Sequence, residues 1–196
     1  MWLSVVTFRF KSDDIAAEEA NYFENHLGVA RTLPGLRHYF AGKLRTTRKL
    51  APTRYRAGII TFDDGMAAGS ALMQGPLGAA LMADTAAHMS KLDNRVGNVD
   101  VVVPPPTGAG RDCFVLTASF GVRDEGRYRE KHVGLARRLP GLRGYLASPG
   151  LALLVFDDYE AMRTAYRSPV GQEVNASAAA ELTDLRLNYV DARTEV

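Results

Sequence analysis

The sequence contains a single cysteine, so no disulfide can form within the chain, and one thiol among 196 residues fits a reducing cytoplasm. Because Cys113 opens the apolar run 113–116, we interpret it as a small core residue and not as a nucleophile. No segment approaches the roughly 20 apolar residues of a membrane span. The apolar run 2–8 has neither a basic stretch before it nor a cleavage site after it, which predicts a strand and not a signal peptide. We therefore expect a cytoplasmic protein with no membrane partner.

An excess of charge is also missing. Lys and Arg number 24 against 22 Asp and Glu, a formal net charge of +2, so no global basic field favours nucleic acid as a partner. The sequence has no His-x-Glu, no paired cysteines, no glycine-rich phosphate loop and no Gly-x-Ser-x-Gly elbow. The aspartate pairs 63–64 and 157–158 fall where a strand turns into a helix, a place that favours Asp as a cap. The sequence therefore predicts neither a metal nor another cofactor.

What the sequence does contain is an internal repeat. Residues 22–39 and 128–145 are identical at twelve of eighteen positions when offset by 106. The similarity returns in Thr-Phe-Asp-Asp and Val-Phe-Asp-Asp, and then in Gly-Pro-Leu-Gly and Ser-Pro-Val-Gly. We predict a tandem duplication with a first unit at 1–103, a Pro/Gly linker at 104–110 and a second unit at 111–196.

Each unit has the pattern β-α-β-β-α-β, the split βαβ motif of ferredoxin-like folds. Strand-like runs lie at 2–10, 36–45, 54–62 and 96–103, and again at 113–120, 142–147, 151–156 and 184–191. Helical patterns lie at 13–33, with Ser12 or Asp13 as cap, at 66–90 with a break at Gly75-Pro76, at 124–139 and at 158–182. The predicted buried face of the first helix consists of Ile15, Tyr22, Phe23, His26, Leu27, Ala30 and Leu33. The predicted fold class is therefore α+β, with two antiparallel sheets that pack as a pseudo-dimeric α/β barrel.

Alternation along the first strand of each unit predicts which face is inside. The wholly apolar sets should face the helices, and they are Val6, Phe8 and Phe10 in one unit and Leu116, Ala118 and Phe120 in the other. The mixed sets contain Thr7 and Arg9, then Thr117 and Ser119, and these should face a lumen between the sheets. We expect those four residues to bind the substrate, with Arg9 at an anionic oxygen.

Two histidines are the strongest candidates for chemistry. His26 and His132 each follow a tyrosine, Tyr22 and Tyr128, by four residues, so that hydroxyl and imidazole share a helix face. A histidine transfers protons near neutral pH, and a tyrosine orients it or donates to an oxyanion. The alternative is structural, with each histidine bonded to a backbone carbonyl near the Leu-Pro-Gly turn. The other histidines, including His88 on a predicted exposed helix face, have no counterpart in the second unit.

The hairpin 42–56 separates the two copies. It carries six basic residues and no acidic one, and the second unit has only a short turn there. The hairpin is either a solvated loop or a site for an anionic partner. This asymmetry predicts that the copies are not equivalent, and it favours the first copy, with His26 and Tyr22, as the active one.

The repeated motif Tyr-x-Glu-x-His-x-Gly-x-Ala-Arg-x-Leu-Pro-Gly-Leu-Arg-x-Tyr resembles the EthD family of dimeric α/β-barrel proteins over nearly the whole chain. The resemblance implies a hydrophobic, often ring-bearing molecule bound in the barrel without metal or nucleotide. His26 and His132 match the family histidine, and Tyr39 and Tyr145 match the strand tyrosine. Gly28 and Gly134 stand where the family commonly has proline.

These observations support two functional hypotheses. The first is a cofactor-independent lyase, isomerase or oxygenase that acts on an aromatic or polyketide-like substrate in the barrel lumen, with His26 or His132 as general acid/base and Tyr39 and Tyr128 at the substrate. The second is a non-catalytic protein that binds such a compound. A lumen filled by its own side chains would instead indicate a structural or interaction module. The two copies pack on each other within one chain or exchange partners in a homodimer, and the sequence leaves both open.

Overall fold

The computed structural model describes residues 1–45 and 52–196, which form nine strands and six helices. The strands are β1 (Trp2–Phe10), β2 (Leu36–Arg45), β3 (Pro52–Phe62), β4 (Met89–Asn98), β5 (Asp100–Val103), β6 (Asp112–Val122), β7 (Gly144–Ser148), β8 (Leu151–Phe156) and β9 (Leu182–Thr194). Three helices contain a π-helical turn: α1 (Ile15–Asn21, Tyr22–His26, Leu27–Ala30), α2 (Gly65–Gly69, Ser70–Gln74) and α4 (Glu125–Arg127, Tyr128–Val133, Gly134–Ala136). The others are α3 (Pro76–His88), α5 (Tyr159–Arg167) and α6 (Pro169–Glu181). The predicted α+β class with two βαββαβ units is confirmed.

All strands join one antiparallel sheet in the order β4-β1-β3-β2-β9-β6-β8-β7-β5. We call β1–β5 the first half and β6–β9 the second half. The last strand of each half pairs with the other half: β9, which also pairs with β6, pairs with β2, and β5 pairs with β7. Among the described residues β4 and β5 form the two ends of the ladder, but they follow each other in the chain with only Val99 between them. The two halves therefore enclose a common interior, as the predicted pseudo-dimeric barrel requires. Residues 104–110 carry neither helix nor strand, and the division into two domains stays a prediction.

Three clusters of buried side chains follow from the alternation along the strands. The interior cluster combines both halves and includes Val5, Ile59, Val115 and Leu153. The other two clusters lie between the sheet and the helices, one in each half. The wholly apolar sets of β1 and β6 belong to these outer clusters, which confirms their predicted orientation towards the helices.

The first helix differs from its prediction at both ends. Its cap is Asp14, whose carboxylate accepts a hydrogen bond from the Ala17 amide at 3.1 Å, and not Ser12 or Asp13. The helix ends at Ala30, three residues before the predicted end. Phe23, which the sequence pattern predicts on the buried face, is 39% exposed, because the adjacent Tyr22 takes the buried position at the start of the π-helical turn.

The strand predicted at 96–103 is divided between the end of β4 and β5, and β4 begins seven residues earlier than predicted. A helix passes directly into β4 at Met89, and the same occurs at Leu182 in β9. Lys91 and Asp184 follow with φ values of 50° and 51°, beside a register shift against the neighbouring strand. A bulge of this kind reorients the chain within a strand, and the polar run 90–95 gives no strand signal in the sequence.

Gly42 allows the two halves to approach each other. A Cβ atom at this position would lie 2.1 Å from the Asp191 carbonyl oxygen and 2.7 Å from the Ala192 Cα atom, across the β2–β9 pairing. We expect Gly42→Ala to lower the free energy of unfolding by about 1–3 kcal/mol, as overpacking does. Gly28→Ala is the matched control, since nothing lies within 4 Å of a Cβ there and alanine favours a helix. Urea unfolding of both variants checks this, and equal stability would contradict the close approach.

Candidate functional site

A cavity of about 440 Å³ lies in the second half, between the outer face of the sheet and helices α4, α5 and α6. A volume of this size is within the range of small-molecule sites. The lining residues are Leu116, Ala118, Phe120, Tyr128, His132, Ala136, Tyr145, Ala152, Leu154, Tyr159, Met162, Arg163, Tyr166, Arg167, Val174, Asn175, Ala178, Leu182, Leu185, Leu187 and Tyr189. The cavity does not lie in the interior shared by both halves, where buried apolar side chains form a common cluster, and the predicted site in the lumen stays a prediction.

The buried end of the cavity is polar. Tyr128 is 1% exposed and His132 is 8% exposed, and both line the cavity. The Tyr128 hydroxyl and the His132 Nδ1 atom find no hydrogen-bond partner among the described residues. Tyr145, equally buried, completes the group and interacts electrostatically with Tyr128, although no hydrogen bond of acceptable geometry joins their hydroxyls. Buried polar atoms without partners are rare in folded proteins, so this end is suited to a ligand with a polar atom.

Burial sets the protonation states of these groups. It lowers the pKa of His132 below its usual 6.5, against a smaller opposing effect of the nearby Glu181 carboxylate. Burial likewise raises the pKa of Tyr128 to about 12, and it raises the pKa of Tyr145 well above its usual range. At neutral pH the site therefore presents a neutral imidazole, which is able to accept a proton, and two phenols that stay protonated and donate hydrogen bonds.

The π-helical turn of α4 brings tyrosine and histidine together. Their rings stack with centroids 5.6 Å apart and planes 20° apart, and the first half repeats this for Tyr22 and His26 at 5.1 Å and 20°. Such turns occur often at functional sites, where one extra residue in the turn redirects side chains. The predicted pairing of each tyrosine with the histidine four residues later is present in both halves, and the structure adds that each pair lies within a π-helical turn.

The equivalent region of the first half is closed by hydrogen bonds. The Tyr22 and Tyr39 hydroxyls lie 3.1 Å apart, and the His26 Nδ1 atom lies 2.7 Å from a carboxylate oxygen of Asp84. His88, predicted to be exposed, is half-buried and lies 2.9 Å from Glu18. Polar atoms at the first site thus bind one another and leave few hydrogen-bonding positions for a ligand.

A glycine permits the hydrogen bond between the two first-half tyrosines. A Cβ atom on Gly58 would lie 3.3 and 3.4 Å from their hydroxyl oxygens. The equivalent residue in the second half is Ala152, which pairs with Ala147 as Gly58 pairs with Ala41. Ala152 therefore places a methyl group in the second half at the position that, in the first half, lies within 3.4 Å of both tyrosine hydroxyls.

A second difference between the halves leaves His132 without a carboxylate partner at Nδ1. Asp84 lies eight residues after Pro76 at the start of α3, and the residue eight positions after Pro169 in α6 is Ser177. The Ser177 hydroxyl is buried and, like His132 Nδ1, has no partner within the described part of the chain. A serine does not reach as far as an aspartate and carries no charge, so the imidazole loses the carboxylate that holds its counterpart.

The mouth of the cavity is formed by exposed residues of α5, α6 and β9. Arg163, Arg167, Asn175 and Leu185 all line the cavity and are exposed to solvent. Arg163 and Arg167 lie four residues apart and so share one helix face. The cavity is therefore closed at the tyrosines and histidine and open at the two arginines.

Five of the six predicted substrate-binding residues, all except Tyr128, do not line this cavity. Arg9 lies 3.7 Å from Asp13, four residues along the chain, and Thr117 accepts a hydrogen bond from the Asn188 side chain at 3.2 Å. Thr7 and Ser119 share the strand face of their neighbours, opposite to the helices. The structure thus brings together Tyr128 and His132 at the cavity, and Tyr22, His26 and Tyr39 in the first half. The sequence favours the first copy, whereas the cavity lies in the second.

Other sequence interpretations have structural outcomes. Asp64 and Asp158 cap helices by accepting from the amides three residues on, as predicted. Cys113 is a buried member of the interior cluster, and burial raises its pKa to about 12. In the basic hairpin, Arg45 pairs with Asp191 at 2.6 Å and lies over the Tyr159 ring at 5.0 Å, while Arg48 and Lys49 lie outside the described residues.

The cavity also contains residues that sequence reasoning missed. Tyr159, Met162, Arg163 and Tyr166 of α5 supply much of one wall. The first half has Gly65, Ala68, Gly69 and Leu72 at the same distances from its capping aspartate. The second copy has larger side chains than the first at these helix positions. This difference between the copies is the sequence signal that points to the cavity wall.

Comparisons with known proteins identify the fold. No protein-family model matches the chain, and no curated protein matches it in sequence. A "putative monooxygenase" from Fusobacterium nucleatum has a TM-score of 0.70 at 11% identity, covering 97% of this chain and 91% of its own. An anthrone oxidase-like protein has a TM-score of 0.61 at 10% identity, covering 97% and 90%. An EthD family protein from Bacillus halodurans covers 50% of this chain and 98% of its own at 22% identity, with a TM-score of 0.43.

The two structures with TM-scores of 0.70 and 0.61 confirm the dimeric α/β-barrel fold that the EthD resemblance implied. At such identities they show the fold and leave the reaction open. No helix in residues 1–45 and 52–196 is long and apolar enough to cross a membrane.

The two histidines should respond differently to removal. We expect His26→Gln to lower the free energy of unfolding by about 1–3 kcal/mol, because it removes the imidazole from the Asp84 Oδ2 atom and leaves that carboxylate with only the weaker contact of its Oδ1 atom to the Asn21 side chain at 3.3 Å and the His88 ring nearby. His132→Gln should be neutral or stabilising, since its Nδ1 atom has no partner to lose within the described residues. Urea unfolding of both variants beside the parent checks this. A larger loss for His132→Gln than for His26→Gln would make His132 the structural residue.

Stability should fall as the pH drops below neutral. The pKa values of His26, His38 and His132 are all lowered, mainly by burial. The unfolded chain therefore binds more protons than the folded chain below about pH 6.5, and the free energy of unfolding decreases towards pH 5. Unfolding measured between pH 7.5 and 5 should show a shallower decrease for His132→Gln than for the parent. An unchanged slope would contradict the burial of a neutral His132.

Proposed function

We propose that this chain is a cofactor-independent enzyme that moves a proton on an apolar, ring-bearing small molecule bound in the second-half cavity. The observation that carries the proposal is the combination of a neutral His132 with two protonated phenols, Tyr128 and Tyr145, at the closed end of a cavity lined mainly by apolar and aromatic side chains. A perturbed titratable group beside further polar atoms in an apolar cavity is typical of catalytic sites.

The proposed roles follow from the protonation states. His132 acts as the general base that removes a proton from a carbon made acidic by a ring carbonyl. The hydroxyls of Tyr128 and Tyr145 donate hydrogen bonds to the oxygen on which negative charge develops, in surroundings where such bonds are strong because water is excluded. Return of the proton to another carbon gives an isomerase, and loss of a leaving group gives a lyase.

An oxygenase is a third outcome of the same carbanion. With an anthrone, loss of a proton gives an enolate, addition of O₂ gives a hydroperoxide after protonation, and loss of water leaves the quinone. The net change is one anthrone and one O₂ converted to one anthraquinone and one water. The similarity to structures described as a monooxygenase and as anthrone oxidase-like supports testing this reaction first, although it rests on the fold alone.

Anthrone is therefore the probe for the proposed activity. The parent should consume O₂ and form anthraquinone above the spontaneous rate, and His132→Gln should lower the rate at least about 10²-fold, the usual contribution of general base catalysis. Tyr128→Phe should lower it about 10²-fold through loss of an oxyanion donor. Oxygen uptake and the absorbance of the quinone follow the reaction.

The first half supplies matched controls. His26→Gln and Tyr22→Phe make the same chemical changes outside the cavity and should leave the rate unchanged once folding has been verified. Equal losses from His26→Gln and His132→Gln would contradict a second-half site.

The alternative is a protein that binds such compounds without turning them over. Its supporting observation is the same set of unpartnered buried donors, because these hold a polar ligand whether or not a proton moves. Binding of 2-naphthol that is weakened by Tyr128→Phe, without turnover of anthrone or of related ring ketones, would favour this alternative.

A further inference from the structure

The charges around the cavity are of one sign. Arg163 and Arg167 are the charged side chains that line it, and no aspartate or glutamate is among the lining residues. The structure describes every one of these lining positions. A bound molecule that reaches the mouth therefore meets positive charge and no compensating acid on the cavity wall.

Neither arginine forms a strong ion pair with a carboxylate among the described residues. Arg163 pairs with Glu160 at 2.8 Å, but the side chains are 43% and 61% exposed, and an exposed pair of this kind contributes little. Arg167 has no carboxylate within ion-pair distance among the described residues, and only its carbonyl accepts a hydrogen bond, from Gln172. Both guanidinium groups are therefore available to an anion.

The arginines occur only in the half that has the cavity. Gly69 takes the place of Arg163, five residues after the capping aspartate, and the π-helical turn Ser70–Gln74, which takes the place of the last turn of α5, contains no charged residue. The first half, whose polar groups are closed by hydrogen bonds, thus also lacks the cationic mouth. The half with the open cavity is therefore also the half with two arginines at the mouth of that cavity.

We propose that the substrate of the second-half site carries a carboxylate, held by Arg163 and Arg167 at the mouth while its ring system lies in the cavity. This inference rests on the proposed function and adds the substrate class: an aromatic or polycyclic acid with a polar oxygen at the opposite end, where Tyr128 and Tyr145 donate. Arginine suits this task because its planar guanidinium matches the two oxygens of a carboxylate.

Binding of 6-hydroxy-2-naphthoate and of its neutral amide, 6-hydroxy-2-naphthamide, tests the proposal. Both place a hydroxyl at one end of the same ring system, and only the first has a negative charge at the other end. Calorimetry at low ionic strength should show the parent binding the carboxylate about tenfold more tightly than the amide. The preference should shrink at high salt, because exposed charges are screened.

Substitutions of the two arginines test whether they cause the preference for the carboxylate over the amide. The double variant Arg163→Gln/Arg167→Gln should abolish it by weakening the carboxylate alone, and Arg163→Lys/Arg167→Lys should retain most of it. Arg138→Gln makes the same change of charge in a residue outside the cavity and should leave both affinities unchanged. Unfolding curves for each variant confirm that the exposed substitutions leave the fold intact.

The outcomes separate this inference from the function on which it rests. Equal affinity of the parent for acid and amide, or a preference that survives in the double glutamine variant, overturns the carboxylate while the cavity stays a ligand site. No binding of either compound or of 2-naphthol overturns the proposed site itself, and the inference with it.

Discussion

The pairing of each half's last strand with the other half limits where a ligand site is able to form. Because β9 pairs with β2 and β5 pairs with β7, the inner faces of both half-sheets are brought into contact and fill the interior with apolar side chains. Interiors packed in this way leave few voids larger than a water molecule. Space remains on the outer faces, under the helices, and its amount depends on the size of the side chains that each helix contributes. The barrel therefore provides rigidity, and the layer between sheet and helices provides chemistry.

Within that layer, the same Tyr-x-x-x-His element has two different outcomes. In the first half, Gly58 and Asp84 let tyrosine and histidine find partners, and the group is held by its own hydrogen bonds. In the second half, Ala152 and Ser177 occupy the equivalent places, and neither the Tyr128 hydroxyl nor the His132 Nδ1 atom has a hydrogen-bond partner among the described residues. Since an unmade bond at a buried polar atom costs about 1–3 kcal/mol, the second arrangement lowers stability unless a ligand restores the bond. That difference, and not the histidine itself, distinguishes a scaffold from a site.

The sequence predicts the fold well because the repeat and the alternation of apolar residues are local signals. The duplicated block 22–39, the strand β1 and the Leu-Pro-Gly turns needed no tertiary information. Two features that differ from the prediction depend on tertiary packing. The strand β4 begins at Met89, beside a bulge against β1, and Phe23 is exposed within the first π-helical turn. Local residue propensities predict neither the bulge nor the π-helical turn.

The candidate site was predicted in part for the same reason. Tyr128 and His132 were identifiable from spacing, but the choice between copies depended on residues distant in sequence that meet only in the folded chain. The basic hairpin suggested the first copy, yet its Arg45 lies over Tyr159, a wall residue of the second-half cavity.

Duplication explains how one chain tolerates an open, partly unsatisfied site. Removing partners from a single unit would weaken the only core that holds it, whereas here the interior cluster is shared and the first half keeps its own polar groups bonded. Burying Glu195 beside Tyr39, with Arg31 as its partner, ties β9 of the second half to the closed group of the first. The strand that forms one side of the cavity is therefore anchored in the half that has no cavity. The missing hydrogen bonds around His132 therefore do not involve the contacts that anchor this strand.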